Sequence, residues 1–238
     1  MSLSEQSKNI LVLGGGEGLA VREILKYKDV EKVTVVDLDP VMTDLAKYNP
    51  IITKINQNAM VDPKVNILNK DAFTFIENSE EFYDVIFVDL PDPNSVSLSR
   101  LYSREFYSLC QRRLNKYGII VTQAASPVHS PNAFVCIIKT MESAHFTVLP
   151  YHNNIPTLGE WGWCLGMRKE VVSNDTLKTK VMEIELPPPP TKFLNRDAII
   201  SLVNFGKGVL EKKDKLKVNT VLDPILVKYY KKGTWDVY

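Results

Sequence analysis

Cysteine is scarce: the 238 residues hold three, Cys110, Cys136 and Cys164. They lie far apart among apolar neighbours, which excludes a disulfide framework and the paired spacing of a zinc site and leaves reduced, buried thiols. Long apolar runs are lacking as well. No stretch of about 18 apolar residues occurs, and the N-terminus has no charged-then-apolar signal layout, so the sequence reads as a soluble cytoplasmic chain. Net charge is nearly absent, +1 from 29 basic and 28 acidic residues. No overall field therefore gathers nucleic acid or anionic lipid, and a cationic ligand would have to be held by local carboxylates. What is present is ordinary: 45% hydrophobic and 24% charged residues, enough for one substantial core and a small appendage.

The apolar run Ile10-Leu11-Val12-Leu13 stops at Gly14-Gly15-Gly16-Glu17-Gly18 and gives way to a helical pattern through Tyr27. This predicts strand, tight turn and helix. Further strands are expected at Val33–Val36, Val65–Leu68, Tyr83–Val88 and Gly118–Gln123, and helices at Ala72–Glu77, Glu105–Leu114 and Pro131–Ser143. Asp39 and Pro40 suit a helix cap and first turn. Such alternation implies βαβ units around a mostly parallel sheet. Strands near Phe146–Tyr151 and Trp161–Met167 are close enough to pair antiparallel as an edge hairpin. The organisation expected is a nucleoside-binding catalytic domain over residues 1–186, a stiff proline-rich linker over 187–194, and a helical, basic extension over 195–238. That extension should pack on the core, since Phe193, Leu194, Phe205, Leu222, Ile225, Tyr229 and Trp235 call for burial.

The glycines at 14, 16 and 18 follow the first strand directly, but Leu19 stands where a dinucleotide fingerprint wants its third glycine. The turn lets backbone amides approach a ligand at a helix N-terminus. Asp37 closes the second strand, where an acid can accept the hydroxyls of a ribose, in an adenosyl ligand or NAD alike. Asp71, past the third strand, suits either an adenine amino group or a helix cap. The fourth strand runs into Asp89-Leu90-Pro91-Asp92-Pro93-Asn94, two carboxylates three apart, stiffened by prolines. An aliphatic amine with a pKa of about 10 must lose a proton before attacking carbon, so one carboxylate can take that proton while the other binds a second ammonium group. A sulfonium leaving group needs no acid. No metal is required, and His129, His145 and His152 need no catalytic role.

Leu13-Gly14-Gly15-Gly16-Glu17-Gly18 with Val21-Arg22-Glu23, Val36-Asp37-Leu38-Asp39-Pro40, Lys70-Asp71-Ala72-Phe73, Tyr83 to Asp89, Leu101-Tyr102-Ser103-Arg104-Glu105-Phe106-Tyr107 and Val121-Thr122-Gln123 together resemble the spermidine synthases in order and spacing. The resemblance covers about residues 8–168. It implies a Rossmann-like fold of the class I methyltransferase type, with a mostly parallel seven-stranded sheet, an antiparallel edge hairpin and a C-terminal helical extension. It also implies transfer of the aminopropyl group of decarboxylated S-adenosylmethionine, a co-substrate and not a prosthetic group, to putrescine or a related polyamine. Glu17 would then face the amino end of the donor, Asp37 the ribose, and Asp71 with Ala72 the adenine. Asp89 would be the base and Asp92 the amine anchor, with Glu160 as a further amine carboxylate or an exposed hairpin residue.

Two departures from the family stand on the acceptor side. Asn94-Ser95-Val96 replaces the usual Gly-Pro-Ala, and Leu158 replaces a substrate-contacting tyrosine. Members of the family carry an N-terminal β-domain before the glycine strand, whereas here the first strand is expected to start at about residue 9. The Leu90-to-Asn94 run, Gly159-Glu160-Trp161-Gly162 and Lys228-Tyr229-Tyr230 look like a branch whose catalytic domain follows a membrane region; Met1-Ser2-Leu3 would then be a cloning remnant, and a homodimer stays open. The rival readings are an S-adenosylmethionine-dependent methyltransferase, an NAD-linked reductase, and a nucleoside-binding domain inactive in isolation. An acid at Glu17 favours a donor lacking the methionine carboxylate. The failed third glycine and the lack of a Tyr-x-x-x-Lys pair count against the reductase.

Overall fold

The computed structural model describes residues 1–186 and 191–234. The stretch of four prolines and Trp235 lie outside the described residues. Seven strands, β1 (Asn9–Gly14), β2 (Lys32–Asp37), β3 (Val65–Asn69), β4 (Tyr83–Asp89), β5 (Leu114–Gln123), β6 (Phe146–Ile155) and β7 (Gly159–Arg168), form one sheet in the order β3-β2-β1-β4-β5-β7-β6. Strands β1 to β5 pair in parallel, while β7 runs antiparallel to both β5 and β6. The mixed sheet expected from the sequence is therefore present, with β7 inserted inside β6.

Ten helices accompany the sheet among the described residues: α1 (Leu19–Ile24), α2 (Pro40–Tyr48), α3 (Pro50–Asn56), α4 (Ala72–Asn78), α5 (Val96–Ser99), α6 (Arg104–Arg113), α7 (Pro131–Ser143), α8 (Asn174–Met182), α9 (Arg196–Leu202) and α10 (Ile225–Lys231). Alternate residues of β1 serve opposite faces, as a strand's period of two demands. Leu11 and Leu13 join Ile86, Phe106, Tyr107 and Phe134 on one side. Ile10 and Val12 join Val21, Val33, Val35 and Val85 on the other. Both faces are thus covered, and the polar ends of the strands are left to make a site.

Side-chain caps start most helices. Asp39 accepts from Val41 N–H for α2, Asp71 from Thr74 N–H for α4, and Ser103 from Phe106 N–H for α6. Asn49 caps α3 with Pro50 at its first position, a signal present in the sequence but not read there. Helix α1 ends at Ile24, earlier than the expected pattern through Tyr27, and turns carry the chain on toward β2.

Beyond residue 195 the described chain is mostly irregular, holding only α9, α10 and a single 3-10 turn at Lys213–Lys215. Phe205, Ile225, Tyr229 and Tyr230 pack against the main core, and Leu226 is buried in it. Phe193 and Leu222 do not follow the expectation of burial: they are 60% and 96% exposed. Each stands in an irregular stretch, where no helix period fixes which side faces inward.

Buried Asn219 ties this tail down. Its side-chain N–H groups donate to the carbonyls of Ser99 (2.9 Å) and Tyr102 (3.0 Å), and its Oδ1 accepts from Leu226 N–H (3.2 Å) and the Ser99 hydroxyl (3.1 Å). All four side-chain bonding positions are filled, which suits an amide with no access to water.

Candidate active site

Strand order reverses between β1 and β4, so the crevice outside their carboxyl ends is the natural ligand position of this sheet. Gly14 and Asp89 pair in register at that edge. Gly14 has φ +86°, and a Cβ there would lie 1.9 Å from the Asp89 carbonyl oxygen. Only glycine lets β1 turn away at this point without striking β4. Gly16 matters for closeness alone: its N–H donates to Asp37 Oδ2 at 2.9 Å, and a Cβ would come within 2.6 Å of the same oxygen. Gly15 and Gly18 complete the turn, closed by a 3.0 Å bond from Gly18 N–H to the Gly15 carbonyl.

Three of the expected acids meet around this turn. Asp37 Oδ1 also accepts from Asp39 N–H at 2.8 Å, so backbone amides hold both of its oxygens. A carboxylate has about four lone-pair sites, which leaves roughly two for a ligand's hydroxyls. Asp89, at the carboxyl end of β4, is exposed as a residue, but protein atoms still exclude water from part of its carboxyl group. A Cβ on Gly15 would stand 3.6 Å from its Oδ2. That burial, and then the charge of Asp37, push the Asp89 carboxyl above the usual carboxylate range. Glu17 is half-buried beside them. Burial raises its pKa most, with the charges of Asp89 and Asp37 adding to it. No Lys, Arg or His pairs with Glu17, Asp37 or Asp89 in the ion pairs of the described residues.

Asp71 does two jobs at the start of α4, ahead of buried Ala72. Its Oδ1 accepts from the Thr74 amide and hydroxyl, each at 2.9 Å, and its Oδ2 pairs with Arg100. Burial pushes this carboxyl up, but the Thr74 donors and the Arg100 guanidinium outweigh it and hold the pKa below the ordinary Asp value. About one lone-pair site remains for a further donor.

Past β4, Asp92 sits in a network that sequence reasoning missed. Gln123, the last residue of β5, donates from Nε2 to Asp92 Oδ1 at 3.1 Å, and Tyr230 of α10 donates its hydroxyl to Asp92 Oδ2 at 2.8 Å. Gln123 Oε1 accepts from Ala125 N–H at 3.0 Å and Trp161 Nε1 at 3.3 Å, which fixes which way the amide points. Tyr102, fully buried, donates to the carbonyls of Leu90 and Pro91 and pins the loop between the two aspartates. The motif containing Gln123 was visible; its role depended on bonds no local pattern encodes.

Glu160 is placed differently from the other acids. It follows the strand alternation of β7 onto the side opposite Trp161, where His152 lies diagonal to it across the β6–β7 register. The carboxylate pairs with His152 Nδ1, and His152 Nε2 bonds the Asn204 carbonyl at 2.8 Å. Leu158 is 53% exposed in the turn before β7, and Ser95 caps α5. Among the described residues no His, Cys, Asp and Glu cluster could hold a metal ion, and no helix is long and apolar enough to cross a membrane.

Known proteins resemble the chain in sequence and in fold. The chain is 41% identical over 240 residues to a polyamine aminopropyltransferase of Oceanobacillus iheyensis, covering 100% of this chain and 45% of that protein. It is 38% identical over 232 residues to polyamine aminopropyltransferase 2 of Aquifex aeolicus, covering 97% and 44%. The chain thus spans less than half the length of these curated relatives. Among solved structures it is similar to the spermidine synthase of Thermotoga maritima, with TM-score 0.72 and 22% identity over 90% of this chain and 71% of that one. A spermidine synthase in complex with the transition state analogue AdoDATO gives 0.71 and 20% over 90% and 70%. At these identities the structural likeness establishes the fold. A family profile described as the spermine/spermidine synthase domain matches residues 1–178, and with the relatives' identity it shows that this chain belongs to the spermine/spermidine synthase family.

Proposed function

We propose that the chain is the catalytic domain of a polyamine aminopropyltransferase. It moves the aminopropyl group of decarboxylated S-adenosylmethionine onto putrescine or a related polyamine and releases 5'-methylthioadenosine. One observation carries this reading: Glu17, Asp37 and Asp89 crowd one crevice edge with no cation paired to them among the described residues, and Asp92 stands three residues beyond. Such a site attracts a donor bearing both a sulfonium and an ammonium charge. S-adenosylmethionine carries a carboxylate at the same end, which Glu17 repels. The relatives' naming as polyamine aminopropyltransferases supports the same reading.

The arrangement of these side chains supports the following roles, which the resemblance to the family also implies. The glycine turn and Asp37 hold the ribose, Asp71 and Ala72 border the adenine, and Glu17 takes the amino end of the donor. Asp92 anchors the acceptor's far ammonium through its remaining lone pairs; the Glu160 carboxylate is engaged by His152 and stays outside this set. Asp89 removes a proton from the attacking amine. The nitrogen then bonds to the methylene next to sulfur as the carbon–sulfur bond breaks. The electron pair stays on sulfur, which becomes a neutral thioether and needs no acid to leave. Holding both partners in line lowers the barrier by prepaying their orientation.

The test is calorimetry with decarboxylated S-adenosylmethionine, S-adenosylmethionine, 5'-methylthioadenosine and NAD, followed by product analysis across a diamine series. Tightest binding of the decarboxylated donor with an aminopropylated product is the expected outcome. A preference for S-adenosylmethionine with a methylated product would overturn it.

A further inference from the structure

We infer that Tyr230 is a positioning residue of the amine-acceptor site, so that the C-terminal helix α10 is a working part of that site. The inference rests on the proposed function above, since it concerns what Asp92 does with an amine. The Tyr230 hydroxyl reaches Asp92 Oδ2 at 2.8 Å from 138 residues along the chain, while Gln123 holds the other carboxylate oxygen. One donor on each oxygen fixes the carboxylate plane. It also leaves roughly two lone pairs on a half-buried carboxylate, a fixed receptacle for an ammonium group.

Helix α10 is held at both ends, which makes this contact a built one. At its start Leu226 N–H donates to the buried Asn219. Just past its end, Thr234 N–H donates to the His129 carbonyl at 2.8 Å, and His129 Nδ1 lies 3.1 Å from the Thr234 carbonyl. Between them the Tyr229 carbonyl accepts from the Ser130 hydroxyl at 3.3 Å, and Tyr229 Oη accepts from Lys217 N–H at 3.3 Å. Neighbouring tyrosines therefore divide the work: Tyr229 secures the helix and Tyr230 addresses Asp92. Burial first, and then the bond to Asp92, push the Tyr230 phenol above its ordinary pKa. It thus remains a donor throughout the neutral range.

The test compares wild type, Tyr230→Phe and Tyr229→Phe for putrescine and spermidine binding in the presence of 5'-methylthioadenosine, alongside nucleoside affinity, thermal melting and turnover. Loss of a charge-assisted bond to Asp92 should weaken amine affinity about tenfold in Tyr230→Phe. Nucleoside affinity and melting temperature should stay at wild-type values, and Tyr229→Phe should bind amine as wild type does. Equal amine affinity in wild type and Tyr230→Phe overturns the inference and leaves the proposed function standing. So does a Tyr230→Phe chain that loses amine and nucleoside affinity together, which marks a purely structural role. A wild-type chain that binds the nucleoside but no amine overturns the proposed function, and the inference with it.

Discussion

Gly14 and Asp89 face each other across the β1–β4 ladder so closely that a single methyl group on the glycine would collide with the aspartate's own backbone carbonyl, 1.9 Å away. The contact is with main chain on a central strand, so no side chain can swing aside. The residue proposed as the base is thereby fixed by the glycine turn proposed to receive the nucleoside.

Gly14→Ala should consequently be severe. The clash adds to the cost of placing alanine at φ +86°, which by itself is about 1–2 kcal/mol. Gly208 also has positive φ, +88°, but nothing lies within 4 Å of a Cβ there. Gly208→Ala should lose only the conformational part. Melting both variants by circular dichroism checks this: a Gly14→Ala chain as stable as Gly208→Ala contradicts the packing described.

Asp89→Asn should abolish aminopropyl transfer while leaving 5'-methylthioadenosine affinity nearly intact, and it should not lower stability at neutral pH. The sign follows from the raised pKa. A carboxyl whose folded pKa lies above its unfolded value contributes stability fully below the unfolded value and loses it as pH rises through the folded one. Near pH 7 the ionised Asp89 is therefore a burden on the fold, and an uncharged amide relieves it. In wild type, the acid limb of kcat/KM should lie above the ordinary Asp value of about 3.9. A cationic donor pulls the carboxyl back down, so the limb in kcat should fall at lower pH. Coincident limbs, or a less stable Asp89→Asn, would count against this electrostatic account.

Glu17→Gln should cut affinity for decarboxylated S-adenosylmethionine by about tenfold, the worth of one charge-assisted hydrogen bond. Affinity for 5'-methylthioadenosine, which has no ammonium, should hold. Discrimination against S-adenosylmethionine should shrink at the same time. Calorimetric titration of the three nucleosides gives the answer; parallel losses for all three would show that Glu17 shapes the turn and reads no charge.

The side proposed to bind the nucleoside was the legible part because its signals are local. Apolar runs ending in glycine or aspartate marked β1, β2 and β4, and the caps at Asp39 and Asp71 were readable at single positions. Asp71 turned out to combine its cap with a pairing to Arg100, 29 residues on, which no spacing rule announces. Helix α3 was missed although Asn49-Pro50 has the chemistry of a helix start, since it follows α2 with no loop between. On the side proposed for the acceptor, Asp92 was legible in the Asp89-to-Asn94 run but its partners were not. Gln123, Trp161 and Tyr230 come together around Asp92 only when β5, β7 and α10 are in place, and an irregular tail gives no period from which to foresee it.

The span of the Tyr230–Asp92 bond bears on the order in which a ribosome could assemble this site. Every residue assigned to the nucleoside lies between Gly14 and Asp89, whereas Asp92 waits for a tyrosine 138 residues later. At translation speeds of about 5–20 residues per second, several seconds separate the emergence of Asp92 from that of its last partner. A nascent or prematurely ended chain lacking α10 keeps in its sequence all the acids proposed for the donor, yet holds Asp92 by one oxygen and lacks Leu226 from its core. Such a product, where it folds, is expected to hold nucleoside while taking up amine more weakly than the full chain.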